Sequence, residues 1–361
     1  MINDDLKYMR ECLKLAIKGR GKVEPNPMVG CVIVKNRQII GKGYHKRFGF
    51  HHAEINAINN ALKAGNDLRN STLYVNLEPC SHFGKTPPCT DFIIKNKIKR
   101  VVIGMKDPNK QVNGKGITKL RKAGIEVWTG VLNEDCINLN ERFIVNITEK
   151  RPYVTLKIAQ SIDGKIALNN FKSQWITNIR SRELTHHIRS NYDCILIGKN
   201  SIVQDNPELT VRFVNSKKHP VRVIIDKDLQ LTNKYKLLKN NYPLTIIYHS
   251  SNKNVSDLEY QKYIRLKSKF GRMEIADILK SLYKLGYHSL LVEGGANIYS
   301  QFADKDLFDE INLFIAPKIL GKGISSFRDY QIKKLENAKE VTLKEIKILD
   351  KDLLLIYKNI K

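Results

Sequence analysis

At 361 residues, 42% of them hydrophobic, the chain is long enough for two domains that each bury a core without covalent staples. Six cysteines without a repeating frame, and no apolar run near the ~20 residues of a membrane span, exclude a disulfide scaffold and a transmembrane helix. The formal charge of +26 comes from lysines spread along the chain among Asn and Ile, with no dense basic arm, which argues against specific nucleic-acid recognition. Such a charge would attract a phosphorylated small substrate. The start, Met1-Ile2-Asn3-Asp4-Asp5, lacks the layout of a secretory signal, so a reducing cytoplasm is expected.

The first ~150 residues alternate strand and helix patterns, as an α/β layer does. Asp4 or Asp5 can cap a helix whose apolar positions Leu6, Met9, Leu13, Ala16 and Ile17 recur at helical spacing, ending at Gly19. Residues 29–34 and 39–44 read as a strand pair turning at Lys35-Asn36-Arg37. A helix follows over 53–64, closed by Gly65, then a short strand over 72–75 and a helix over 91–96. Strand 101–104, helix 117–123, strand 125–128 and one polar helix over 134–147 complete this half. A boundary falls near Lys150-Arg151-Pro152, where strand 153–158 begins a second alternation. Strands are predicted there at 194–198, 221–226, 244–248, 289–292, 310–315 and 353–357, and helices at 182–190, 275–285 and 297–303. Residues 228–272 read as the most loop-rich part.

The chemistry is concentrated in His52-Ala53-Glu54, Glu78-Pro79-Cys80 and Pro87-Pro88-Cys89. One imidazole and two thiolates can hold Zn²⁺ with a position left open, which lowers the pKa of a bound water to about 7, while a carboxylate that is not a ligand moves protons. Nucleobase deaminases use this His-x-Glu and Pro-Cys set. Alone, each of these residues reads as a solvated histidine or a buried cysteine; their order and type as a set point to the metal. The cysteines are separated by eight residues, Ser81 to Pro88, where nucleoside and nucleic-acid deaminases mostly have two. A structural zinc site, the other rival, has no use for a proton shuttle such as Glu54. Cys12, Cys31, Cys136 and Cys194 read as small core residues.

Residues 79–89, Pro-Cys-Ser-His-Phe-Gly-Lys-Thr-Pro-Pro-Cys, together with residues 25–30, Pro-Asn-Pro-Met-Val-Gly, closely resemble the deaminase half of the bifunctional riboflavin-biosynthesis deaminase/reductases. The resemblance implies a cytidine-deaminase-like three-layer α/β/α domain over residues 1–148. Its expected reaction is deamination of the 2-amino group of 2,5-diamino-6-(5-phosphoribosylamino)pyrimidin-4-one. By matching positions, His52, Cys80 and Cys89 would bind one zinc, and Glu54 would protonate the pyrimidine nitrogen and the leaving ammonia. Asn26, His82, Lys85, Asp107 and Asn109 would hold the substrate. Asn26 also reads as a turn residue between two prolines, His82 and Lys85 as a solvated loop face. His51 reads as a bystander, and His45 is left open.

Residues alone leave the second half vague. Gly294-Gly295-Ala296-Asn297 can bring backbone N–H groups against a phosphate or can simply be a tight strand-to-helix turn. The segments 156–165, 173–177, 205–212, 292–295 and 316–318 run in the order found in the reductase half of the same enzymes. That likeness implies a dihydrofolate-reductase-like α/β domain over residues 149–361, reducing the ribosyl group to ribityl with NADPH to give 5-amino-6-(5-phosphoribitylamino)uracil. By matching positions, Trp175, Ser201, Asp205, the backbone of Gln160 and the Gly295 turn would meet NADPH. Ser173, Arg189, Leu209, Arg212 and Glu293 would meet substrate, with Lys157 steadying the sugar oxygen as the ring opens. Two residues depart from the family pattern: Gln160 replaces a small residue, and Lys227 a small polar one, where it could pair with the extra phosphate of NADPH. The family also implies a homo-oligomer, dimer or tetramer.

Overall fold

The computed structural model describes residues 2–81, 83, 87–110, 112–214, 219–239, 242–269 and 271–360. Its contacts divide the chain into two units, Met1–Lys150 and Arg151–Lys361. The first contains α1 (Ile2–Ala16), β1 (Gly30–Lys35), β2 (Gln38–Tyr44), α2 (Ala53–Lys63), β3 (Thr72–Leu77), α3 (Cys89–Lys95), β4 (Arg100–Met105), α4 (Lys115–Lys122), β5 (Glu126–Thr129), α5 (Asn133–Leu139) and α6 (Glu141–Glu149). Its sheet has the order β2-β1-β3-β4-β5, with β1 antiparallel to both neighbours and β3, β4 and β5 parallel.

Two glycine contacts show the layering. A Cβ on Gly30 would lie 2.0 Å from the Cys12 carbonyl of α1, and one on Gly43 would lie 2.3 Å from the Ala57 nitrogen of α2. Gly43 pairs with Cys31, the neighbour of Gly30, and cross-strand partners share a face while successive residues alternate. Helices α1 and α2 therefore cover opposite faces of the sheet, the expected three layers, and glycine lets both approach closely. The core between them is aliphatic, from Met9 and Cys12 through Val32, Ile33 and Ile58 to Val101 and Ile103.

The polar helix expected over 134–147 is two helices, broken at Asn140 (φ −108°, ψ 16°). The side chain of this buried residue turns inward and grips Met28 by both main-chain groups: its Oδ1 accepts from Met28 N (2.8 Å) and its Nδ2 donates to Met28 O (3.0 Å). Buried Asn76 completes the clamp, donating to Met28 O at 3.0 Å and accepting from Gly30 N at 2.8 Å. A helix-period pattern carries no trace of a partner 112 residues away.

The second unit contains β6 (Tyr153–Ser161), β7 (Lys165–Leu168), α7 (Ile179–Arg189), β8 (Cys194–Gly198), α8 (Lys199–Asp205), β9 (Val221–Ile225), α9 (Lys236–Lys239), β10 (Thr245–His249), β11 (Gln261–Arg265), β12 (Ser268–Lys269), β13 (Arg272–Met273), α10 (Ile275–Lys284), β14 (Ser289–Val292), α11 (Ala296–Asp304), β15 (Glu310–Ala316), β16 (Gly323–Ser325), β17 (Val341–Leu349) and β18 (Asp352–Asn359). The nine-stranded sheet runs β11-β10-β9-β8-β14-β6-β15-β18-β17. It is parallel from β11 through β15 and ends in the antiparallel pair β18 and β17. The strand order reverses direction around β8, β14 and β6, and the carboxyl ends of such strands form the crevice of an open α/β sheet. A buried bidentate pair, Arg151 to Asp309 at 2.7 Å on both arms, ties the start of this unit to the turn before β15.

Two strands that the sequence did not predict form the edges of the nine-stranded sheet. Residues 228–272 are largely loop and turn, as read, but β11 lies there and extends the sheet in parallel register with β10. Strand β17, unpredicted, is exposed from Thr342 to Ile348, so a sheet edge hides the burial alternation that marks an inner strand. Among the described residues no helix is long and apolar enough to cross a membrane.

Asn140→Ala removes one acceptor and one donor from a buried main-chain segment. We expect a loss of about 1–3 kcal/mol from the stability of the first unit, read as an earlier first transition in scanning calorimetry while the second transition stays in place; an unchanged profile would show that the clamp is energetically silent.

Candidate active sites

His52 is the N-cap of α2 and Glu54 lies in its first turn, Cys80 follows β3, and Cys89 opens α3. Strand and helix ends thus bring together residues that are far apart in the chain. His52 Nδ1 lies 3.6 Å from Cys80 Sγ and 3.3 Å from Cys89 Sγ, and the three ligand atoms all fall within 4.8 Å of one another. Tetrahedral zinc with bonds of ~2.0–2.3 Å needs donors roughly 3.5 Å apart, so the donor set fits that ion in spacing and in softness. The main-chain N–H of Cys89 donates to Cys80 Sγ at 3.3 Å, support of the kind thiolate ligands receive from outside their metal.

The electrostatics of the cluster prepare it for a cation. The Cys89 thiol and the His52 ring, both hydrogen-bonded to Cys80, lower its pKa to about 4. The same contact raises His52 to about 9, while Cys89 is pushed well above the usual thiol range by its bond to Cys80 and by burial. Glu54 is 3% exposed, and burial lifts its carboxyl to about 7 against the opposing pull of His52. A carboxyl poised there can take and return a proton at neutral pH.

Behind the ligands, His45 stands edge-on to His52 with ring centroids 5.4 Å apart. Its Nδ1 meets the His51 carbonyl at 3.2 Å and its Nε2 meets Asn26 Nδ2 at 3.2 Å. A carbonyl can only accept, so Nδ1 carries the proton and the neutral ring accepts from Asn26, whose Oδ1 is left as its acceptor atom. Burial keeps this ring's pKa below the ordinary histidine value. Glu78, also buried, is a main-chain clamp: its two oxygens accept from the N–H groups of Asp107 (3.2 Å), Gly114 (3.0 Å), Gly116 (3.0 Å) and Ile117 (3.3 Å). It thereby fixes the loop of Asp107 and Asn109, in which Asp107 Oδ1 accepts from Asn109 N at 2.8 Å.

In the second unit a cleft of about 800 Å³ opens at the carboxyl ends of β8, β14 and β6. At its floor Arg189 makes a two-armed pair with Glu293, Nε to Oε1 at 2.6 Å and Nη2 to Oε2 at 2.9 Å, and Lys157 Nζ lies 3.8 Å from Glu293. Burial alone would raise Glu293, but Arg189 and Lys157 outweigh it and hold the carboxyl at about 2. Burial lowers Lys157 in spite of Glu293, so this ammonium gives up a proton more readily than a surface lysine.

Two family models match. The cytidine and deoxycytidylate deaminase zinc-binding region covers residues 2–105, and the RibD C-terminal domain covers residues 152–355, more than half of the chain. The riboflavin biosynthesis protein RibD of Aquifex aeolicus is 43% identical, with 98% of each chain covered, and that of Escherichia coli is 34% identical over 97% of this chain and 98% of its own. The chain belongs to the RibD family. A Thermotoga maritima diaminohydroxyphosphoribosylaminopyrimidine deaminase/5-amino-6-(5-phosphoribosylamino)uracil reductase has a similar structure, with a TM-score of 0.87, 39% identity and 99% of both chains covered. RibD of Acinetobacter baumannii is similar at a TM-score of 0.86, with 32% identity over the full length of both chains. A RibD-family chain with both domains is a hydrolase and an oxidoreductase in riboflavin biosynthesis, with Zn²⁺ and NADPH as cofactors.

Within this RibD-family chain, Trp175, Ser201, Asp205 and Gly295, assigned to NADPH in the sequence, all line the cleft. So do Lys157, Ser173, Arg189, Leu209, Arg212 and Glu293, assigned to substrate. Ser173 Oγ donates to Asp205 Oδ1 at 2.9 Å, and burial raises the Asp205 carboxyl. Gln160 and Lys227 are not among the lining residues. The Gln160 side chain accepts from Ser326 Oγ at 2.7 Å, which accommodates the larger residue away from the cleft, and Lys227 lies 3.4 Å from Asp228. His82 and Lys85 lie outside the described residues. The sequence reading left His45 open and left out Glu78 and His186 as site residues; the only signal for Glu78 was its place in the Glu-Pro-Cys motif.

Near pH 7 the metal-free cluster carries a proton on His52 and on Cys89 but not on Cys80. Ligands bind zinc deprotonated, so Zn²⁺ binding at that pH should release about two protons. Affinity should rise with pH steeply up to the His52 value of about 9 and less steeply beyond it, where only Cys89 still has a proton to lose. Titration calorimetry in buffers of different ionisation enthalpy measures the release directly, and a pH-independent affinity would contradict this protonation pattern.

Proposed function

We propose that residues 1–148 deaminate 2,5-diamino-6-(5-phosphoribosylamino)pyrimidin-4-one at its 2-amino group and that residues 149–361 then reduce the ribosyl group of the product to ribityl, giving 5-amino-6-(5-phosphoribitylamino)uracil. The observation that carries this reading is the convergence of His52, Cys80 and Cys89 with a buried Glu54 on a chain that also builds the Arg189–Glu293–Lys157 cleft.

His52, Cys80 and Cys89 hold the zinc, which supplies a Lewis acid that makes water nucleophilic near neutral pH. The Glu54 carboxylate takes the proton of the attacking water and delivers it to the pyrimidine ring nitrogen; it then takes the remaining proton of the added hydroxyl, which becomes the carbonyl, and passes it to the amino group, which departs as ammonia. Its pKa of about 7 suits both directions of that transfer. Asn26, oriented by His45, offers its Oδ1 to a ring or amino N–H of the pyrimidine. Asp107 and Asn109 line the substrate loop held by Glu78, and His82 and Lys85 take the ribose phosphate.

NADPH supplies the hydride, and the protein's part is alignment and charge placement. Trp175, Ser201, Asp205, the Gln160 backbone and the Gly295 turn hold the cofactor, with Lys227 on its extra phosphate. Ser173, Arg189, Leu209, Arg212 and Glu293 hold the substrate. Lys157, held over Glu293, hydrogen-bonds the sugar oxygen and protonates it as the ring opens. All six cysteines are free, which supports a reducing cytoplasm, and the exposed Leu343, Ile346 and Ile348 of edge strand β17 support a homo-oligomer, dimer or tetramer.

Glu54→Gln should keep its zinc and lose roughly 10²–10⁴-fold in ammonia release. It should still oxidise NADPH at the parent rate when given the deaminated product. A zinc-loaded parent that releases no ammonia would remove the deaminase assignment, and a variant that loses both reactions on their own substrates would show that Glu54 supports the fold and not proton transfer.

A further inference from the structure

The reductase cleft contains a buried imidazole to which no role has been given. His186, 5% exposed on α7, lines the cleft three residues before Arg189 on the same helix face. Its Nδ1 accepts from the main-chain N–H of Arg212 at 3.1 Å. Arg189 Nη1 donates to the Thr210 carbonyl at 3.2 Å. One turn of α7 therefore grips the loop 209–213 at two main-chain positions.

Nδ1 is an acceptor here, so the neutral ring carries its proton on Nε2. Burial first, and then the nearby Arg189 and Arg212, lower its pKa to about 4 against the opposing Glu293, so the ring stays an acceptor across the physiological range. With Nδ1 committed to loop backbone, the imidazole is a strut for the loop. Its edge-on contact with Phe213, centroids 4.8 Å apart, fixes the ring plane. Past this strut the Arg212 side chain turns back over the loop, donating from Nη1 to Glu208 Oε2 (2.9 Å) and to Thr210 Oγ1 (3.1 Å). A planar guanidinium held in this way presents its remaining donors in a fixed direction, which suits bidentate capture of a phosphate or carboxylate.

We propose that His186 is a positioning residue for the reduction: by holding the Arg212 N–H it sets the direction in which the Arg212 guanidinium meets the anionic end of the substrate. The proposal rests on the reading of Arg212 as a substrate contact. It makes His186 a determinant of affinity for phosphorylated substrate and leaves hydride transfer and the deamination alone.

The test uses the full-length, zinc-loaded enzyme and the deaminated ribosyl phosphate. His186→Phe keeps a buried ring without an acceptor and should raise KM for that substrate about tenfold, with kcat, the KM for NADPH and ammonia release within about twofold of the parent. His186→Asn restores an acceptor and should recover most of the lost affinity. In a double-mutant cycle, His186→Phe combined with Arg212→Gln should lose no more than Arg212→Gln alone, since one residue acts through the other. Additive losses, or an equal loss of NADPH affinity in His186→Phe, would overturn the proposal by showing that the ring supports the whole cleft. An Arg212→Gln variant with the parent KM would defeat the underlying site assignment, whereas a raised KM in Arg212→Gln with none in His186→Phe would defeat the positioning role only.

Discussion

Buried main-chain N–H and C=O groups must find partners, and in an irregular loop no neighbouring strand or helical turn supplies them. Both active sites are built from such loops, so each depends on side chains that stand in for secondary structure. In the deaminase unit Asn76 and Asn140 clamp Met28 and Gly30, two and four residues beyond Asn26, and Glu78 gathers four N–H groups around the loop of Asp107 and Asn109. In the reductase unit the same work falls to His186 and Arg189 on α7, with His219 accepting from Val211 N at 3.1 Å. These clamps are polar because their partners are, and they are buried because the loops must sit on the sheet to reach the reacting atoms.

The two sites solve opposite electrostatic problems. The deaminase cluster gathers groups that ionise as anions into a buried place, and without metal it spreads its protons unevenly, with a thiolate at Cys80 balanced by a protonated His52. A dication removes that imbalance, and this is why the set reads as a metal site and not as a hydrogen-bonded core. The reductase floor sets one carboxylate between two cations, Arg189 and Lys157, and burial makes the partners costly to separate. Glu293 therefore stays ionised while Lys157 is eased toward releasing a proton. A fixed anion beside a loosened cation is an arrangement for directing a proton, and hydride delivery to a sugar needs one proton delivered to oxygen.

The outline of both folds was legible because the inner strands are short apolar runs between helical patterns. Strands β1, β3, β4 and β8 lie within a few residues of where alternation and turn residues put them. Legibility failed where burial did not follow period. Strand β17 lies on an edge with seven consecutive exposed residues, and the helix break at Asn140 answers to Met28 and not to its own neighbours. Helix α8, which carries Ser201 and Asp205, is a two-turn element directly after β8, too short to show a periodic stripe.

The sequence by itself determined the chemistry of the first site, because zinc ligands and a proton shuttle are fixed by residue type, and His52, Glu54, Cys80 and Cys89 are the residue types that chemistry requires. It also determined, through resemblance, which side chains of the second half belong together, and ten of them line one cleft. Only the tertiary structure decided which residues hold those side chains in place. His45, Glu78, Asn140 and His186 act through hydrogen bonds or ring contacts to segments outside their own elements, and such contacts leave no periodicity, composition or spacing for the sequence to display. Tertiary packing decided the ionisation states as well, since whether Glu54 sits near 7 and Glu293 near 2 depends on the groups buried beside each one.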